Sequence, residues 1–321
     1  MQASFLYNPD SLNSSCHCAT LTQVSNGDLF ATWYAYPNEE YQDAVIVINR
    51  KPKSQANWQR SQVVLERKPY SLGNPVVYED PDGSLHLMFV VLKGSYWDSA
   101  ELQNIISTDG GITWSEGVVI WPKRGMMARH PPAVLGDQSL LLPAYDEADK
   151  QSVLLRSRAP YDSWEEAHRF DAGSQLIQPT LMRETGHRLT MLFRPTSDPK
   201  VIWRSHSSND GISWSSVIQT TLPVSQSGID GFYVDGQLAA VYNHTRQHQR
   251  FPLSISLSSD RGVSWSGPWH FDRAEFELSY PSFIVDSDNV IHGVYTYNRR
   301  MIKYVSFSVD ELRENVAKGV E

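Results

Sequence analysis

The chain is expected to fold as an all-β protein, a six-bladed β-propeller forming one domain over residues 1–321. Three observations lead there: a turn motif that returns about every fifty residues, a strand opening with the same period, and hairpin signals between the two. The turn motif reads Ser-x-Asp-x-Gly-x-x-Trp. It is complete at residues 107–114 and 258–265, and residues 207–214 carry it with Asn209 in the Asp position. Weaker copies end at Trp58 and Trp164, so that Trp58, Trp114, Trp164, Trp214 and Trp265 lie 56, 50, 50 and 51 residues apart. A fixed period of that length marks a repeat architecture. The motif has a structural meaning. Its carboxylate ties down backbone N–H groups, its glycine takes conformations closed to other residues, and its tryptophan buries a large apolar face.

The elements follow in order. Six openings, 48 to 57 residues apart, place a polar residue ahead of a short apolar run: His17, Asn74, His130, Gln178, Asp230 and Tyr280. Asn26-Gly27, Asp82-Gly83 and Asp235-Gly236 then lead into second strands at residues 29–34, 85–91 and 238–242. Such pairs between apolar runs signal hairpins. Third strands come at residues 44–48, 104–107, 153–157, 201–205, 253–257 and 302–307, and the turn motif or its weaker copy leads the first five into a fourth. The sixth unit has no motif after Phe307. Residues 3–7 are expected to supply its outer strand, which pairs the two ends of the chain and leaves no long free edge. Residues 310–317 read as a short helix capped by Asp310.

With 10 Trp, 15 Tyr and 11 Phe in 321 residues the chain can build a large core, and its formal net charge is -8. No basic run is present, which argues against nucleic acid as a partner. No apolar run reaches the length of a membrane span, which argues against a membrane partner. The N-terminus lacks the basic-then-apolar pattern of a secretory signal, and two thiols, Cys16 and Cys18, suit a reducing compartment. A cytoplasmic location is expected, or a periplasmic or secreted one if a signal has been removed. Cys16, His17 and Cys18 bring a metal to mind, but successive strand side chains point to opposite faces and do not converge on one ion. Neither a metal nor another cofactor is expected.

In a propeller the first strand of each blade lines the axis, so the six opening residues form a ring near one mouth. His17, His130, Asp230 and Tyr280 supply groups that move protons there; Asn74 and Gln178 supply amides. The far ends of the second strands reach the same mouth and carry Tyr145, Arg194, Asn243, Tyr297, Arg299 and Arg300, while Arg129 precedes His130. Guanidinium forks suit a carboxylate, and aromatic rings stack on sugars. The expected partner is a glycan or oligosaccharide carrying an acidic sugar.

The turn motif is the Asp-box of the sialidase (neuraminidase) superfamily, which the chain resembles from about residue 13 to residue 308. Phrases such as Gly73-Asn74-Pro75, Arg129-His130-Pro131-Pro132 and Tyr242-Asn243-His244 look closer to a branch labelled predicted neuraminidases. Sialidases hold the sialic-acid carboxylate with three arginines, pair a tyrosine nucleophile with a glutamate, and use an aspartate as acid and base. The resemblance puts Tyr280 in the nucleophile's place, Asp43 in the aspartate's, and Arg194 with Arg299 or Arg300 in the places of two arginines. The departure is at the first arginine, where His17 stands; sialic acid should then serve less well than a uronic acid. Three functions are compatible with this pattern. The first is an exo-acting glycosidase in which Tyr280, activated by Asp230 or Glu277, attacks the sugar while Asp43 or His17 protonates the leaving oxygen. The second is a β-eliminating lyase with His130 or His17 as base and Tyr280 or Tyr145 as acid. The third is a glycan-binding propeller without catalysis.

Overall fold

The computed structural model describes residues 1–7, 14–37 and 43–319. Six antiparallel sheets stand around one axis, each meandering outward from an inner strand. The inner strands are Ser15–Gln23, Leu72–Glu79, Leu176–Arg183, Asp230–Val234 and Leu278–Val285, with a broken one in blade three. Inner strands of neighbouring blades touch all the way round. Apolar side chains fill the wedges between blades: Phe30, Tyr34 and Ile46 of blade one meet Val77, Leu87 and Phe89 of blade two in one such cluster.

The ring closes as its two ends require. Gln2–Tyr7 lies antiparallel to Met301–Ser308, with Gln2 opposite Ser306 and Tyr7 opposite Ile302. The helix runs Val309–Lys318. Its cap is Ser308, whose hydroxyl accepts from the Glu311 N–H at 3.1 Å, so Asp310 is not the cap. Asp310 instead sits in the first turn, where a negative charge suits the positive end of the helix. Blade three differs from the expected continuous strand at residues 130–135. Its inner strand is split into Met126–Ala128 and Ala133–Val134, both paired with Leu140–Asp146. Pro131 and Pro132 have no N–H to give to a ladder, which breaks it there.

The turn motifs fold as their residues dictate. Asp109 accepts from the N–H of Ile112 (3.0 Å) and Thr113 (2.9 Å), and the Gly111 N–H donates to the Ser107 hydroxyl at 2.8 Å. The glycine bond and the bond matching that of Thr113 recur around Asn209 and Asp260. Gly111, Gly211 and Gly262 all have left-handed backbones. They also face the preceding blade: a methyl group at Gly211 would lie 2.8 Å from Leu141 of blade three. The motif therefore both turns the chain and seats each blade on its neighbour.

Candidate active site

At one mouth of the axis the inner strands share a local distortion. Pairing slips between His17 and Thr20, Gly73 and Val76, Ile177 and Thr180, and Ser279 and Ser282. One residue at each slip has a left-handed backbone: Cys18 (φ 60°), Asn74 (43°), Gln178 (49°) and Tyr280 (53°). A bulge of this kind re-aims a side chain. In blade one, Cys18 rather than His17 therefore occupies the position matching Asn74, Gln178 and Tyr280, and His17 stands one residue before it.

Four of the six opening residues, His17, Asn74, Gln178 and Tyr280, line one cavity of about 260 Å³. Tyr34, Trp97, Met127 and Ile177 add aromatic and apolar wall; Tyr145, Arg194, Arg250, Arg299 and Glu147 complete the polar part. A larger, open cavity of about 720 Å³ lies among the turns that follow the inner strands, with neither arginine nor histidine among its described lining residues. The arginines, His17 and Tyr280 gather in the smaller cavity.

A hydrogen-bonded chain crosses its floor. Asn74 Nδ2 donates to the Tyr145 hydroxyl at 2.9 Å, and Gln178 Nε2 approaches the same hydroxyl at 3.5 Å. Arg194 Nη1 donates to Gln178 Oε1 at 2.6 Å and to the Tyr280 hydroxyl at 3.5 Å. Burial pulls Tyr280 toward a higher pKa, but Arg194 and Arg250 outweigh it and, with a hydrogen bond from Gln178, bring the phenol below its usual 10. Tyr145, buried without such cations, moves well above 10. The His17 ring meets the Tyr280 ring edge-on at 4.4 Å. Burial first, then the charges of Arg299, Arg250, Arg129 and Arg194, hold His17 well below 6.5, so it is neutral. Its Nδ1 lies 3.9 Å from Glu277 Oε1, too far for a hydrogen bond.

Glu277 is the counter-charge of the site. It accepts from Arg250 Nη1 (2.8 Å), Arg299 Nε (2.7 Å) and the Ser279 hydroxyl (2.6 Å). Burial works to raise its pKa; Arg250 and Arg299 prevail and keep it below its ordinary value, hence ionised.

Other expected site residues lie elsewhere. His130 and Asp230 form a buried pair, Nδ1 to Oδ1 3.1 Å, and neither lines the cavity. Asp230 is a structural acceptor for the N–H of Phe283 and Gly231 and for the Thr180 hydroxyl; burial raises it to about 6 against those bonds. Burial and Arg129 push His130 well below 6.5. Arg129 is fully buried against the Tyr280 ring and is not part of the described lining. Asn243 is also fully buried, its amide spent on the carbonyls of Leu278 and Pro252. Tyr297 packs against Phe5 and Phe276. Arg300 is exposed, and of the pair Arg299 and Arg300 only Arg299 enters the cavity. Asp43 is exposed beside residues outside the described set and is not part of the lining. Cys16 and Cys18 are free, buried thiols in two different apolar clusters. Sequence reasoning missed Arg250, Glu147 and Trp97. All three sit between the second and third strands of their blades, on connections that end at this mouth.

The profile of the BNR repeat-like domain family matches residues 27–293. No curated protein matches the chain in sequence. Among solved structures, the Hadza microbial sialidase Hz136 superposes with a TM-score of 0.83 at 16% identity, over 97% of this chain and 69% of its own. The NanB sialidase of Streptococcus pneumoniae gives 0.80 at 10% identity, over 96% and 71%. The intramolecular trans-sialidase of Ruminococcus gnavus gives 0.79 at 13% identity, over 96% and 98%. At these identities the likeness is one of fold.

Proposed function

The chain belongs to the BNR repeat-like domain family, within the sialidase superfamily, and from that premise we propose that it is a sialidase-like glycoside hydrolase that removes an acidic sugar from the end of a glycan. One observation carries the reading: Arg194, Arg250 and Arg299 line a single small cavity together with the hydroxyl of Tyr280. Glu277 neutralises part of that charge, and Glu147 is the one carboxylate among the described lining residues, so the cavity favours an anion. Its volume, about 260 Å³, lies just under the range of roughly 300–1,000 Å³ usual for small-molecule sites, which fits one sugar ring better than a chain of them. The Ruminococcus gnavus neighbour is described in complex with oseltamivir carboxylate, an acid bound by the same fold.

In this reading the sugar carboxylate meets the guanidinium forks, the Tyr280 phenol gives up its proton to water, and its phenolate oxygen attacks the anomeric carbon. The bond to the leaving oxygen breaks as that oxygen takes a proton from Glu147, the carboxyl group that lines the cavity. Water then releases the sugar from the tyrosyl intermediate, the same carboxyl group accepting a proton. Tyr280 differs here from a tyrosine paired with glutamate, since its hydroxyl is bonded to Arg194 and Gln178; cationic surroundings take over the activating role. The test is a panel of sialylated and uronic-acid-terminated glycans, with products read by mass spectrometry. Free acidic monosaccharide and a glycosyl adduct on Tyr280 are expected. Tyr280→Phe should lower kcat by roughly 10³-fold or more, as for removal of a nucleophile, with KM little changed. No cleavage of any acidic glycan, or full turnover by Tyr280→Phe, would overturn the proposal. A lyase reading draws support from neutral His17 in contact with Tyr280, a base able to take a proton beside a uronate carboxylate. Its product would absorb in the ultraviolet; the hydrolase product would not.

A further inference from the structure

Arg129 has no exposed surface. Its Nη2 donates to the Pro281 carbonyl at 2.9 Å, and its guanidinium carbon stands 5.4 Å from the centre of the Tyr280 ring. Its Nε and Nη1 make no hydrogen bond among the described residues, and no carboxylate there pairs with it. Asp230, the acid whose field it shares, is already engaged by three donors and by His130. A guanidinium cannot shed its proton, and a buried cation without a partner is costly. An apolar side chain of similar length would fill the space without that cost. The two contacts Arg129 does make are both to Tyr280 and the residue after it, where the backbone is left-handed.

We propose that Arg129 is a positioning residue for Tyr280: it clamps the Pro281 carbonyl, lies against the phenol ring, holds the tyrosine in its left-handed bulge, and adds its charge to those of Arg194 and Arg250 around the phenol. The inference rests on the reading of Tyr280 as the reactive group. Asp230 is a resident negative charge in the field of Arg129 but makes no ion pair with it, which leaves the guanidinium face free to lie against the phenol ring. Among the described residues, Arg194 and Arg250 are the cations that lower Tyr280 and Cys18 opposes them, His17 and Tyr145 also face it, and Arg129 differs from all five in holding the adjoining backbone.

The test separates charge from packing. Arg129→Gln keeps a donor for Pro281 and removes the charge; Arg129→Lys keeps the charge and loses the fork. Each is titrated in the alkaline range by phenolate absorbance, against the same variant also carrying Tyr280→Phe, so that Tyr280 alone is read. The midpoint should rise by about one pH unit in Arg129→Gln and stay within about half a unit in Arg129→Lys. On an acidic glycoside, kcat should fall at least about tenfold in Arg129→Gln with KM within about threefold. An unmoved midpoint in Arg129→Gln overturns the proposal, as does a raised KM with unchanged kcat, which would make Arg129 a substrate ligand. If Arg129→Gln does not fold, Arg129→Lys decides alone, and a midpoint moved by more than half a unit counts against the role. The titration uses no substrate, so a protein that cleaves no glycan defeats the functional reading and leaves the Arg129 result standing by itself.

Discussion

Leu6→Ala should loosen the propeller where the ring closes. The terminal strand carries a register irregularity between Phe5 and Tyr7, so that Leu6 and Tyr7, neighbours in sequence, are both buried while Phe5 remains 49% exposed. Leu6 and Tyr7 enter one apolar cluster with Trp33 and Val47 of blade one and Val294 and Ile302 of blade six. The Ser61 hydroxyl of blade one also donates to the Leu6 carbonyl at 2.7 Å. Truncating a buried leucine costs about 2–5 kcal/mol, against a total stability of about 5–15 kcal/mol for a domain. A loss near 3 kcal/mol, about a hundredfold in the folding constant, is therefore expected for Leu6→Ala. Phe5→Ala removes only an edge contact with Tyr297 at 5.2 Å and should cost about 1 kcal/mol or less. Denaturant titration gives both values, and amide exchange over residues 301–308 locates the damage. The consequence reaches the site, because the Cys16 N–H bonds the Arg299 carbonyl at 2.8 Å across the same seam. Equal losses for Leu6→Ala and Phe5→Ala, or undisturbed exchange at 301–308, would show that the terminal strand decorates the ring and does not close it.

Two further predictions concern residues outside the cavity. Hydrogen bonds from Thr113 and Ser107 hold Asp109 at about 2, and Ser264 and Ser258 do the same for Asp260, against an ordinary 3.8. A depressed carboxylate stabilises fully above its unfolded value and loses that contribution as pH falls through its folded one, so acid should weaken the fold between about 3.8 and 2. Asp109→Asn, which copies the arrangement at Asn209, should leave stability near neutral pH almost unchanged and flatten that acid slope; an unaltered slope in melting temperature against pH counts against it. Asn243→Ala orphans the carbonyls of Leu278 and Pro252 and should cost about 2–4 kcal/mol. Surviving molecules should keep their KM, and a large rise in KM would return Asn243 to the substrate.

The blade count and most strand positions were legible because each rests on a repeated local signal: Asn–Gly and Asp–Gly turns, a polar residue opening each inner strand, and a tryptophan every fifty residues or so; the closure by the N-terminal strand was legible from the motif missing after Phe307. The site was half legible. A rule of opening residues finds Asn74, Gln178 and Tyr280 because a bulge aims each of them into the cavity. It fails at His130, where Pro131 and Pro132 break the strand and turn the imidazole toward Asp230 and the Ile229 carbonyl. It also fails at Arg250 and Glu147, which lie on irregular connections whose course no periodicity encodes. Arg299 and Arg300 are indistinguishable as letters. They part only because Arg299 alone has a left-handed backbone and reaches Glu277.

The four left-handed bulges bear on function as a set. A non-glycine residue in that conformation costs about 1–3 kcal/mol, and such strain survives only where the surroundings over-determine it. Asn74 is held by Tyr145 and by the Cys18 thiol, Gln178 by Arg194, and Tyr280 by Arg194 above and by the Arg129 clamp on Pro281 below. Each strained residue is thus fixed by another member of the same small network, which no single blade contains. The strain therefore cannot relax in one blade without moving groups contributed by the others. A cavity built this way holds Tyr280 and the three arginines in register, and a propeller supplies that rigidity because its inner strands are braced on both sides.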